Sequence, residues 1–105
     1  MNLQIEYKTP FTIIANAVIL SEKLTVYEKI VYSVLCAYKN NQDGTCFPSH
    51  KTIAQKSNCS LRKVIEVINS LEQYGLIEKQ HQFNAKGEHI SNKYIIKSES
   101  FKTEI

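Results

Sequence analysis

Apolar residues recur at helical spacing in two long stretches of the 105-residue chain and alternate in two shorter ones. In the first long stretch, Tyr27, Ile30 or Val31, Val34, Leu35 and Tyr38 fall on one side of a helix, because positions three and four apart share a face. Thr25 followed three residues later by Glu28 is a capping box, which satisfies two free N–H groups and fixes where the helix starts. Asn40, Asn41, Gln42, Asp43 and Gly44 are turn formers that end it. In the second long stretch, residues 61–74, Val64, Val67, Ile68 and Leu71 form an apolar stripe. Ser60 caps its start, and Gly75 stands where the residue after a helix takes positive φ. Between the two, after Cys46, Phe47 and Pro48, residues 49–56 read as a short helix capped by Ser49, with Ile53 and Ala54 inward, and Ser57, Asn58 and Cys59 as a tight turn. Residues 76–83 alternate weakly, 84–88 are a turn sequence, and 91–97 carry Tyr94, Ile95 and Ile96, together a β-hairpin. The β-branched residues 11–19 read as an extended arm or strand, behind an N-terminal arm over 1–10. Polar residues 98–105 read as a flexible tail, which leaves 11–97 as the folded domain.

Composition narrows the classes. A length of 105 residues suits one domain, and 43% apolar with 22% charged residues suits a soluble globular one. No apolar run approaches the ~18 residues of a membrane span, and the start of the chain lacks the basic and apolar pattern of a signal peptide. A cytoplasmic protein with no membrane partner is expected. Thirteen Lys and Arg against ten Asp and Glu give +3, and the excess is local. Residues 1–48 balance four against four, whereas 49–97 hold eight basic and four acidic side chains, a shallow footprint for a polyanion. Cys36, Cys46 and Cys59 form no C-x-x-C pair, which fits a reducing compartment. A zinc site drawn from Cys46, His50 and Cys59 lacks a fourth ligand, so ordinary thiols and no metal are expected. The chain has no phosphate-binding G-x-x-x-x-G-K loop and no metal-binding H-x-H pair, so neither a cofactor nor catalysis is expected.

A short helix, a tight turn and a longer capped helix make a helix-turn-helix, whose second helix enters the DNA major groove, and the following hairpin supplies a wing. The expected fold is α+β, a winged helix-turn-helix with a three-helix core, a C-terminal β-hairpin wing and an N-terminal extended arm or strand. Leu24-Thr25-Val26-Tyr27-Glu28-Lys29, Cys46-Phe47-Pro48-Ser49, Thr52-Ile53-Ala54 and Leu71-Glu72-Gln73-Tyr74-Gly75-Leu76-Ile77 resemble the winged helix-turn-helix domains of plasmid and phage replication proteins and related mobile-element proteins. The resemblance covers residues 11–97. Small winged-helix accessory proteins of conjugative relaxosomes, of the TcpK kind, have a compatible size and fold, and so do transcription regulators. What the resemblance implies is a site-specific protein of double-stranded DNA that acts in replication, conjugation or transcription regulation of a plasmid or other mobile element, with a relaxase or replication protein as a possible partner.

Each candidate contact has a plainer reading beside it. Arg62 and Lys63 lie in the first turn of the second helix, where such side chains reach bases or phosphates, although solvated charges are common there too. Asn69 either reads adenine or faces water. Ser49, His50, Lys51 and Ser60 stand at helix N-termini that can offer N–H groups to phosphate, and the two serines also serve as caps. Lys79, His81, Lys86, His89 and Lys93 load the hairpin with positive or titratable groups, which suits a wing on phosphate or in a minor groove, or simply guards an exposed edge. Leu61 and Ile65 fall on the outward side beside Arg62 and Asn69, either against thymine methyls or against a second protein. A homodimer, at least on DNA, is expected, because one small module reads few base pairs.

Overall fold

The capping residues are where the helices begin. In the computed structural model, which describes residues 9–97, four helices and three strands follow in the order α1 (Asn16–Ile19), α2 (Val26–Tyr38), β1 (Thr45–Cys46), α3 (His50–Ser57), α4 (Leu61–Gln73), β2 (Ile77–Phe83) and β3 (His89–Ile96). At the head of α2 the Thr25 hydroxyl accepts from the Glu28 N–H at 3.1 Å, and the Glu28 carboxylate accepts from the Thr25 N–H at 2.8 Å. Ser49 accepts from the Thr52 N–H, and Ser60 from the Lys63 N–H, at 3.1 and 3.0 Å. Helix α4 ends in a Schellman motif: Gly75 takes φ 77°, its N–H donates to Glu72, and the Leu76 N–H donates to Leu71.

Tertiary burial overrides local preference at two places. The extended segment expected over residues 11–19 stops at Ala15, and Asn16–Ile19 closes a helical turn in which the Ala15 carbonyl accepts from Val18 and Ile19. Val18 is fully buried there, and that burial outweighs the strand preference of its branched side chain. In α2 the buried residues are Glu28, Val31, Tyr32, Val34, Leu35 and Cys36, while Tyr27, Ile30 and Tyr38 are exposed. Helices α3 and α4 and strand β3 all pack on α2, so its covered face is centred on Val31 and Leu35 and leaves Tyr27 and Tyr38 at its rim. Ser57 belongs to α3, so the three-residue link into α4 is shifted by one to Asn58, Cys59 and the cap Ser60, with Asn58 at φ 57°, a left-handed conformation that asparagine tolerates.

The stripe of Val64, Val67, Ile68 and Leu71 is buried as its spacing predicts, and it meets Leu35, Ile53, Leu76 and Tyr94 in one core. The three strands form an antiparallel sheet in the order β1-β3-β2, with Cys46 opposite Tyr94 and Lys79 opposite Tyr94 on the other side. Strand β1 and the start of β3 at His89 were not legible as alternation. Three helices around one core with a sheet-borne hairpin make this an α+β winged helix-turn-helix. No described helix is long and apolar enough to cross a membrane. Residues 1–8 of the arm expected over 1–10, and the tail expected over 98–105, lie outside the described residues.

Candidate nucleic-acid interface

Because Val64, Val67, Ile68 and Leu71 bury one side of α4, the other side is turned outward by helical geometry. Arg62, Glu66 and Asn69 are exposed on it, and Leu61 and Ile65 beside them are 51% and 44% exposed. The Arg62 and Asn69 side chains hold no hydrogen bond or ion pair to another described residue. Lys63 is placed differently. Its ammonium lies 4.9 Å from the centre of the Tyr27 ring and 3.4 Å from the Glu66 carboxylate, so it spans α4 and α2 instead of extending outward with Arg62.

The head of α3 faces the hairpin. Ser49 is engaged as the cap and also donates to the Thr52 hydroxyl at 3.0 Å, whereas Lys51 is exposed in the first turn. Ser60 is exposed and likewise caps its helix. His50 is half-buried, and its Nε2 is buried with no hydrogen-bond partner among the described residues. Desolvation, and then the Lys79 charge, hold its pKa below the usual imidazole value. The ring lines a cleft of about 250 Å³ together with Phe47, Pro48, His89, Asn92 and Tyr94. Hence His50 joins α3 to the wing as a neutral packing group.

Strand register sorts the wing into two faces, since directly opposed residues point the same way. Pairing of Lys79 with Tyr94, His81 with Asn92 and Phe83 with His89 puts these six on the face that continues into the core. Gln80 with Lys93, and Glu78 with Ile95, occupy the other face. Lys79 and Lys93 therefore point in opposite directions, although the sequence groups them. Lys93 lies toward Asp43, whose carboxyl is held below its usual range mainly by hydrogen bonds from Thr45, with smaller help from Lys93. Lys97 donates to Glu78 at 2.9 Å, which removes one further charge from the wing. At the tip, Asn84 accepts from the Lys86 and Glu88 N–H groups, holding Lys86 exposed in an ordered turn.

Three features escaped the sequence reading. Phe83 is 60% exposed at the wing tip, and its ring stands edge-on to His89. Asn92 lies 3.0 Å from the His89 ring nitrogen. Tyr27 carries Lys63. Odd numbering shared by Lys79, His81 and Phe83 was the available signal for the first of these. The grouping of Cys46, His50 and Cys59 gives no metal centre: among the described residues no three His, Cys, Asp or Glu side chains converge. Burial pushes the Cys46 thiol up to about 12, which keeps it protonated.

A family model described as a helix-turn-helix domain matches residues 22–77, the span from the residues before α2 to the first residue of β2. Among solved structures the chain is similar to one described as the N-terminal domain of a DNA binding protein, at 19% sequence identity and a TM-score of 0.60. That alignment covers 93% of this chain and 82% of the other, and at such identity the likeness is one of fold. Comparison with curated protein sequences gives no match.

Proposed function

Because the chain belongs to the helix-turn-helix domain family, we propose that it binds double-stranded DNA at a particular site and catalyses no reaction. The observation that carries this reading is the outward face of α4. Arg62 and Asn69 stand exposed there without partners among the described residues, on a helix whose opposite side is locked into the core. Arginine can pair with guanine and asparagine with adenine through two hydrogen bonds each, so these two suit base readout. Lys51 at the head of α3 and Lys79 and Lys86 on the wing supply charges suited to phosphate. The DNA-binding description of the structural neighbour agrees with this reading.

The role that fits the resemblance is an accessory factor in replication or conjugative transfer of a plasmid or other mobile element, or a transcription regulator. Binding as a homodimer on a repeated site would extend the few base pairs that one α4 can read. Leu61 and Ile65 support a second reading, in which the outward face docks a larger replication or transfer protein such as a relaxase, because two exposed apolar residues side by side favour a protein partner. A gel-shift of the pure chain on random and plasmid-origin duplexes separates the two. Retardation that is stronger on origin DNA is expected. Absence of any shift at low salt, with α4 intact by circular dichroism, overturns DNA binding in favour of the docking surface.

A further inference from the structure

We propose that Phe83 is a wedge that enters the DNA minor groove at the wing tip, parts one base step and bends the duplex, an inference that rests on the DNA-binding reading above. The β2–β3 ladder runs outward from the core. Ile77, paired with Ile96, is 2% exposed, and six residues on, about 20 Å at the strand rise, Phe83 is 60% exposed. Single exposed apolar residues are ordinary; what sets this one apart is that the strands are built to hold it. Gln82 pairs with Ser91 but Phe83 with His89, so the ladder passes over one residue of β3. Strict alternation would put His89 on the face opposite Asn92, and the irregularity turns it to the face that His81, Phe83 and Asn92 share. The His89 ring then stands edge-on to Phe83 at 72° with centroids 5.8 Å apart, and the His81 ring lies 6.5 Å from Phe83. His89 is itself held, its Nε2 lying 3.3 Å from His81 Nδ1 and 3.0 Å from Asn92 Oδ1. Phe83 is thus braced by the hairpin while most of its surface faces water, which lowers the ordering cost of inserting it into a partner.

Charge selects the partner. Lys86 is exposed in the turn just beyond Phe83, and Lys79 shares the Phe83 face, whereas the carboxylate of that turn, Glu88, accepts from the Asn84 amide. An apolar ring beside ammonium groups suits a base stack lined by phosphates better than it suits an apolar protein pocket. The turn is ordered as well, since the Asn84 N–H donates to the Glu88 carbonyl at 2.9 Å and the Asn84 side chain accepts from the Lys86 and Glu88 N–H groups. Apolar side chains used in this way part the bases from the minor groove and bend the duplex by about 20–90° toward the major groove. Pyrimidine–purine steps part most easily, so Phe83 adds a preference for TpA or CpA steps that no hydrogen bond to a base edge supplies.

The test titrates the full chain at low salt onto a short duplex of alternating TpA steps that carries a dye at each end and 2-aminopurine in place of the adenines of one strand. With the parent, energy transfer between the dyes should rise as the duplex bends by about 20–90°, and 2-aminopurine should brighten as its bases unstack. Phe83→Ala should bind the same duplex about tenfold more weakly, the size of one lost base–aromatic stack, and give neither signal. Phe83→Leu, which keeps an apolar wedge, should restore part of both. Circular dichroism checks that these exposed substitutions leave the fold intact. Binding by the parent with neither bend nor brightening, or equal signals from Phe83→Ala, overturns the wedge and leaves DNA binding standing. No binding of the duplex by the parent overturns the DNA reading itself, and the wedge with it, in favour of a protein partner for Phe83.

Discussion

His50 shows how a single residue changes meaning between sequence and fold. At a helix start beside Ser49 and Lys51 it reads as a phosphate contact, yet in the structure it is half-buried with its Nε2 enclosed between α3 and the wing. Its pKa is lowered by desolvation and then by Lys79, so the folded state binds a proton less readily than the unfolded chain. The unfolded state then holds more protons just below the ordinary imidazole value of about 6.5. Stability should rise with pH through that window and be lost as pH falls below about 6.5. Urea denaturation at pH 5.5 and 7.5 is the check, with His50→Gln expected to lose less stability on acidification than the parent. An equal loss in both would mean that His50 is not the group responsible. The neighbouring Lys63 could not have been placed from sequence, because its link to Tyr27 depends on how α2 and α4 cross.

Elements were legible where one residue decides and illegible where several compete. Thr25, Ser49 and Ser60 announce their helices because each satisfies specific N–H groups, and Gly75 announces an end because it takes φ 77°. The inner face of α2 was misjudged at Tyr27 and Tyr38, while of Ile30 and Val31 it is Val31 that is buried, since a helix contacted from several directions has apolar residues at its rim as well as beneath it. Strand β1 is two residues long, too short to alternate, and exists through its pairing with β3. The wing faces stayed hidden because the register across residues 84–88 includes an irregularity between Gln82 and Phe83. The α4 assignment gives a graded expectation for stability. Leu71→Ala should cost ~2–5 kcal/mol by opening a cavity in the core, Ser60→Ala ~1 kcal/mol by removing the cap, and Ile65→Ala within about 0.5 kcal/mol as an exposed change. Thermal unfolding of the three variants reads the order, and an Ile65→Ala cost equal to that of Leu71→Ala would place the buried face wrongly.

At the scale of the whole molecule, the net charge of +3 matters less than where its members point. The sequence gathers Lys79, Lys86, Lys93 and Lys97 into one basic hairpin, but Lys97 pairs with Glu78 and Lys93 turns to the opposite face toward Asp43. On the proposed reading, phosphate contact therefore falls to Lys79, Lys86 and Lys51, with Arg62 and Asn69 of α4 left to read bases. Fluorescence anisotropy on a preferred and a scrambled duplex across a salt series tests this division most directly. The parent should show a log–log salt slope of about −4 to −5. Arg62→Ala should cost ~1–3 kcal/mol mainly on the preferred duplex, Lys79→Ala should weaken both duplexes and lower the slope by about one, and Lys93→Ala should stay close to the parent. A slope near zero, or Lys93→Ala weakening both duplexes while Arg62→Ala and Lys79→Ala bind like the parent, would contradict it.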